Sequence, residues 1–445
     1  MTNPAGNPSV VLRSLRAATL ALSVILALIV VTTHAAQAQT FTVLHTFTGG
    51  EDGGLSGHGL TMDRGGNLLG IASEGGYHGG SDCATYGCGT AFKLSRKGSG
   101  WIFNTLYTFQ GGNDGDEPSG EVLGPDGSLY GTTSDGGGLG QCGTRYGRRL
   151  SCGIVFKLSP APTACKTALC PWTETILYRF TGAGDGGSPF GQPIFDQAGA
   201  IYGTTQLGGN NGCSGYFCGT VFNLTPSGSG WIETALYAFT GYSDGYWPVS
   251  AVTFDQNGNL YGTTEEGGQS YYGTVFQLAQ DGGGWTKRFL YQFDGTESGG
   301  NPAGKLLLDR SGNLYGTTWS GGSGCGTVYE LTPSGGSWVF SVLYSFPGNV
   351  GSCGPMNGVI MDAAGNLYGT SERTGAFQNG VVFKLTPTAS GWTYSSLHDF
   401  TGGSDGAGPA ALIMDANGNL YGEASIGAGE GCNGIGCGVI FEITP

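Results

Sequence analysis

The stretch Gly365-Asn366-Leu367-Tyr368-Gly369 recurs, with small changes, at Gly66–Gly70, Gly127–Gly131, Gly199–Gly203, Gly258–Gly262, Gly312–Gly316 and Gly418–Gly422. Successive copies start 61, 72, 59, 54, 53 and 53 residues apart. A near-constant period of this size means one supersecondary unit repeated seven times, each burying its apolar face against its neighbours. The chain has 89 Gly in 445 residues, yet 39% of it is hydrophobic and 11% aromatic, and there is no Gly-X-Y period. Many short strands ended by glycine turns satisfy both facts.

The sixth copy shows the unit. Gly358–Asp362 reads as a short apolar strand A, and Asp362–Asn366 as a turn. Asn366–Ser371 is strand B, a glycine-rich loop follows, and Gly380–Leu385 is strand C. Thr386-Pro387 opens a turn, and Trp392–Phe400 is strand D. Four short antiparallel strands repeated seven times predict an all-β, seven-bladed β-propeller. The two ends complement each other. Repeat 7 stops after its strand C, Val439–Ile443, and Phe41–Phe47 is a strand D with no repeat before it. Pairing them completes the last blade and removes a free sheet edge.

Residues 1–38 read as a secretory signal: Arg13 and Arg16, an apolar run from Ala17 to Val31, and the small-x-small site Ala36-Gln37-Ala38. The run is short for a membrane span. Cleavage after Ala38 leaves 39–445 as one repeat domain, secreted, extracellular or periplasmic, with no membrane segment. It removes two Arg and no acid, taking the net charge from -14 to -16. Without a basic stripe, a nucleic-acid partner is not expected. The mature chain is expected to be monomeric.

Twelve cysteines fall in local pairs. In an exported chain they predict six disulfides: Cys83–Cys88, Cys142–Cys152, Cys165–Cys170, Cys213–Cys218, Cys325–Cys353 and Cys432–Cys437. Zinc would need two pairs converging, and each pair is alone in its repeat.

The recurring Asp-x-x-Gly-Asn-Leu-Tyr-Gly-Thr-Thr, with Gly-Thr-Val-Phe-x-Leu-Thr-Pro and Trp-x-x-x-x-Leu-Tyr-x-Phe after it, resembles the GloVer-type tandem repeats of exported bacterial proteins, over about residues 41–445. The resemblance implies export and a propeller-like domain. It supplies no activity and no catalytic residues, and the C-terminal surface anchor of some relatives is not expected here.

Function is sought where repeats depart from one another. The A–B turns are uniform, whereas the B–C and D–A loops, which share the other face, vary in length and hold ten of the twelve cysteines. That face is the expected binding face. Six tryptophans hold the strand D position (Trp101, Trp172, Trp231, Trp285, Trp338 and Trp392), but Trp247 and Trp319 lie in loops of the variable face, as do Tyr242, Tyr246, Tyr271 and Tyr272. Such a cluster suits an extracellular glycan or a protein, and equally suits loops packing on themselves. Asp52, Asp114, Asp185, Asp244 and Asp405 recur as Asp-Gly in D–A loops. They are Ca²⁺ candidates, though Asp-Gly is first a turn signal. His45 and His398 stand where strand D elsewhere has Tyr. No Ser–His–Asp order or His-x-x-x-His is present, and no cofactor is expected. A carboxylate pair on the axis, from Glu74, Asp135, Glu265, Glu266, Glu372 or Glu423, would make the chain a polysaccharide lyase or hydrolase. The remaining alternative is a structural surface protein with no ligand.

Overall fold

The computed structural model describes Met1 and residues 39–444, except 80–82, 99, 146–147, 161–171, 210–217, 229 and 349–352. The signal segment, Cys165, Cys170 and Cys213 lie outside the described residues. Each letter of the repeat has a physical role. Asp362 accepts the amides of Ala364 and Asn366, each at 2.9 Å, and its second oxygen takes Asn366 Nδ2 at 2.6 Å and Tyr368 Oη at 3.0 Å. Gly365 turns the chain at φ +84°, a backbone only glycine adopts without strain. The second glycine, Gly369, lies under the Phe383 ring, where a Cβ would meet Cζ at 2.6 Å. The next threonine donates to the following blade, as in Thr370 Oγ1 to Ala410 O at 2.9 Å.

Seven sheets result. In blade 1, strand A is Leu60–Met62, B Leu68–Ala72, C Thr90–Lys97 and D Gly100–Thr108, paired in that order. The last sheet is the exception that closes the ring. Thr40–Thr46, from the start of the chain, is hydrogen-bonded beside Val439–Thr444, and Phe47 donates its amide to Gly438 O at 3.0 Å. The expected seven-bladed propeller is therefore the fold. One expectation fails: Thr386-Pro387 is not a turn. Strand C of blade 6 runs Val381–Thr388, with Pro387 opposite Trp392. Strand B pairs only as far as Leu385, so beyond that point C has one partner and tolerates a missing N–H. The insertion of blade 2 adds a ribbon, Thr144–Arg145 with Arg148–Arg149.

Seven apolar clusters hold the blades together, one per seam. Strand D also carries a ring of side-chain pairs between blades. Four pairs are aromatic stacks: Phe103 on His45, Phe340 on Tyr291, Tyr394 on Tyr344 and Phe41 on His398, with centroids 4.0, 3.9, 4.4 and 3.7 Å apart. In three consecutive seams a charged residue takes the aromatic place. Lys287 lies over Tyr237 at 5.1 Å and pairs with Asp244. Glu233 approaches Tyr178. Glu174 lies 3.5 Å from Tyr107 Oη, and burial followed by contact with Asp114 pushes its carboxyl up to about 9.

Disulfides join Cys83–Cys88, Cys142–Cys152, Cys325–Cys353 and Cys432–Cys437, and Cys218 is disulfide-bonded as well. This is the chemistry of an oxidising, extracellular or periplasmic compartment. The Cys83–Cys88 bridge closes only 5 residues, so a Cys83→Ser/Cys88→Ser chain is expected to lose only about 2 kcal/mol of unfolding free energy in urea titration. A loss above about 4 kcal/mol would mean the bridge holds more than its own loop.

Candidate functional site

Backbone strain singles out one face. Among the described residues, eleven non-glycine residues have φ between +48° and +67°. Nine lie in B–C or D–A loops and two, Glu117 and Ser188, in the strands Asp116–Leu123 and Gly187–Pro189 that follow D–A loops; among the described residues every positive φ in the A–B and C–D turns belongs to glycine. Five of them occupy one equivalent place in the repeat, ahead of strand A or, in blade 2, at its start: Leu55, Glu117, Ser188, Trp247 and Asn301. Blade 7 has Gly408 there, at φ +63°. Non-glycine side chains at positions that favour glycine concentrate backbone strain on this face.

That face has a pocket with a volume of about 240 Å³. Blades 1 to 3 line it, with Phe190, His58, Glu74, Glu117, Ser119 and Ser134. Phe190 meets the His58 ring edge-on, with centroids 5.5 Å apart. Ser134 Oγ donates to Glu117 Oε2 at 3.4 Å, and Ser119 Oγ to Pro189 O at 2.8 Å. Enclosure lowers His58 to about 4, so near neutral pH it is an uncharged donor and acceptor. Of these residues only Glu74 was singled out by the sequence; Phe190, His58 and Glu117 belong to different repeats and come together only where blades 1 to 3 meet.

The aromatic candidates sit on the same face in blades 4 and 5. Tyr242, Trp247 and Tyr271 are the three aromatic residues with positive φ, at 48°, 63° and 67°. Tyr242 replaces the glycine that blade 2 has at Gly112. Tyr242 and Tyr271 are 63% and 57% exposed, and both lie close enough to Tyr246 to raise its hydroxyl, after burial and Glu266. Tyr246 Oη donates to Glu266 Oε2 at 2.5 Å. Trp247 is half-buried, its backbone bridging Cys218 O and the Glu265 amide. Trp319 is half-buried at the end of strand B, and its amide donates to Asn301 O at 3.2 Å. Tyr272 serves packing. It stands where five other blades have a bridged cysteine, and its ring covers Gly295 and Gly300 as the bridge covers Gly49 and Gly54 in blade 1.

The D–A aspartates are turn formers. Asp405 takes the Thr401 amide at 2.8 Å and His398 Nε2 at 3.1 Å. Asp52 does the same with Thr48 and His45, while Asp114, Asp185 and Asp244 use Tyr107, Tyr178 and Tyr237. No group of three metal-ligating side chains occurs among the described residues.

The carboxylates of strand B are divided. Glu265, pushed up to about 7 by burial and then by Glu266, and Glu372, raised by burial, lie partly open on the loop face. Asp135 is buried and holds the amides of Gly136 and Ser151, each at 2.7 Å. Glu423 is sealed, taking the place of the interblade threonine and accepting the Gly59 amide at 3.0 Å. Beside it the sequence hides Glu121. It faces Gly131 across strands A and B, as Leu60 faces Gly70. Its two oxygens have no partner among the described residues. Burial, with the Glu423 charge second, raises it well above the carboxylate range.

The Gloeobacter/Verrucomicrobia repeat matches residues 142–351 and again 321–445. The chain belongs to this family. No curated protein matches it. The family's fold in this chain is similar to two extracellular domains from B. thetaiotaomicron. One, of a one-component system, has TM-score 0.51 and 10% identity, over 91% of this chain and 40% of that one. The other, of a hybrid two-component system, has TM-score 0.50 and 12% identity, over 91% and 41%. This repeat protein thus spans about two-fifths of either chain. A sugar dehydrogenase from Streptomyces coelicolor, solved with PQQ, is more distant, at TM-score 0.44 and 13% identity over 76% of this chain and 96% of that one.

Proposed function

We propose that this repeat protein is an exported binding module that takes an extracellular glycan on its loop face. The observation that carries this reading is the loop-face pocket, which sets the Phe190 ring beside the uncharged His58, two carboxylates and three serine hydroxyls. A sugar ring offers an apolar C–H face and a rim of hydroxyls, and this lining offers a partner for each. The exposed Tyr242 and Tyr271, with Trp247, supply a second contact for a chain longer than one sugar. Binding is favoured over hydrolysis by where the perturbed acids lie. Glu121 and Glu423, raised by burial, are 1% and 0% exposed, so no substrate reaches them, and the raised Glu265 that is partly open on the loop face is not among the residues of the pocket.

A glycan array probed with the wild-type chain, Phe190→Ala and Trp247→Ala/Trp319→Ala tests the proposal. The wild type is expected to bind at least one glycan class. Phe190→Ala is expected to weaken that binding about tenfold or more, ~1.4 kcal/mol, and the tryptophan double variant to weaken long glycans more than short ones. No binding across the array, or undiminished binding by Phe190→Ala, overturns the site.

A further inference from the structure

A second cavity opens at the other end of the axis, on the A–B turn face, with a volume of about 740 Å³. Its lining comes from blades 1, 2, 3 and 5, which meet only at the axis: Arg64, Leu123, Ile194, Phe195 and Lys305 among others. Two of its side chains are cationic in a chain of net charge -14. Lys305 departs from its repeat. The equivalent residues beside strand A in the other blades are Gly59, Gly120, Gln192, Ala251, Gly358 and Ala411, all small except Gln192, whose side-chain amide donates to Glu121 O at 2.7 Å.

Lys305 is also uncompensated. Lys93, Lys157 and Lys287 each pair with an aspartate, at 2.8 Å for Lys93–Asp63 and 2.7 Å for Lys157–Asp126. Lys305 has no ion pair and no hydrogen bond among the described residues. Its amine is lowered by burial alone, with no carboxylate near enough to oppose the shift. The one acid in the lining, Asp196, is already engaged by the amides of Ala198 and Ala200, both at 2.9 Å, and by Tyr202 Oη at 3.3 Å. Lys305 is exposed to solvent within the funnel it lines, so its ammonium is reachable by a ligand and lacks the counter-charge that a bound anion would supply. The space exceeds what an inorganic ion fills, and Leu123, Ile194 and Phe195 give it an apolar wall.

We propose that this funnel is a binding site for a small organic oxyanion, a carboxylate or a phosphate ester, with Lys305 contacting the charge and Arg64 guarding the mouth. The site is independent of the loop face and stands if the glycan reading fails. Titration calorimetry on the mature chain, with glucuronate, glucose 6-phosphate and neutral glucose as probes, tests it. One of the two anions is expected to bind and glucose not to, and which anion binds tells carboxylate from phosphate. Lys305→Met is expected to weaken that binding about tenfold. Arg64→Gln, on an exposed turn where folding is not at stake, is expected to weaken it about threefold. No heat from either anion at about 10 mM, binding equal to that of glucose, or unchanged affinity in Lys305→Met overturns the site.

Discussion

Deletion of residues 39–48 is expected to make the chain aggregate. This one strand serves two seams. Phe41 stacks on His398 at 3.7 Å and on Phe441 at 5.4 Å, within the cluster between blades 6 and 7. Phe47, 2% exposed, belongs with Leu44 to the cluster between blades 7 and 1. Truncating one buried Phe costs about 3–5 kcal/mol, so losing the strand exceeds much of a stability of about 5–15 kcal/mol. It also bares Val439–Thr444 as a free edge, a template for association. Phe47→Ala alone is expected to lower the unfolding free energy by about 3–5 kcal/mol in urea titration. Size-exclusion chromatography of the deleted chain should show aggregate; a soluble monomer with an unchanged urea midpoint would refute the role given to the strand.

Glu121→Leu is expected to stabilise the protein, by about 2–4 kcal/mol near pH 8. The site is apolar in register, as Leu60 shows, and both Glu121 oxygens lack partners among the described residues. Leucine is of similar volume. The pH dependence follows from the direction of the shifts. A carboxyl whose folded pKa is raised holds its proton in the native state. Its favourable contribution is complete below the unfolded value near 4.5 and is lost as pH rises through the folded value. Glu233 and Glu265 are pushed up to about 7 and Glu174 to about 9, while Glu121 and Glu423 stand well above 4.5. His58, at about 4, acts in the opposite direction, but only below its unfolded value near 6.5. Between pH 6.5 and 9 the carboxyls therefore act without opposition from His58. Calorimetry should show the melting temperature falling across that interval, and falling less steeply in Glu121→Leu. A flat profile in both chains, or a destabilised Glu121→Leu, would remove the buried-acid account.

The sequence made the blade legible because most of its signals are local. Asp362, Gly365, Asn366 and Tyr368 bond to one another within seven residues, so their spacing already implies the turn. The spare strand at Phe41–Phe47 was legible by subtraction. His45 and His398 were readable as tyrosine substitutes because strand D repeats its pattern, and the D–A aspartates they bind were readable as turn formers.

What was hidden depends on neighbours several dozen residues away. Strand A is only two or three residues long in most blades and carries no motif. Glu121 looks like any surface acid until its register against Gly131 places it where Leu60 sits. Phe190, His58 and Glu117 belong to three repeats and meet only because the ring closes. The left-handed backbone at Trp247 has no sequence signature, so the strain that separates it from an ordinary loop aromatic appears only in three dimensions. Thr386-Pro387 misled for a related reason: the usual bar to proline in a strand lapses where strand B has already ended.

Everything assigned to the two ends of the axis presupposes that the ring is closed by its first strand. Amide hydrogen exchange followed by mass spectrometry tests this directly in the chain of residues 39–445. A closed ring requires peptides covering 41–47 and 439–444 to be protected to the same degree, and to open only with the blades they join. Rapid exchange of 41–47 while strands B and C of the other blades stay protected would contradict it.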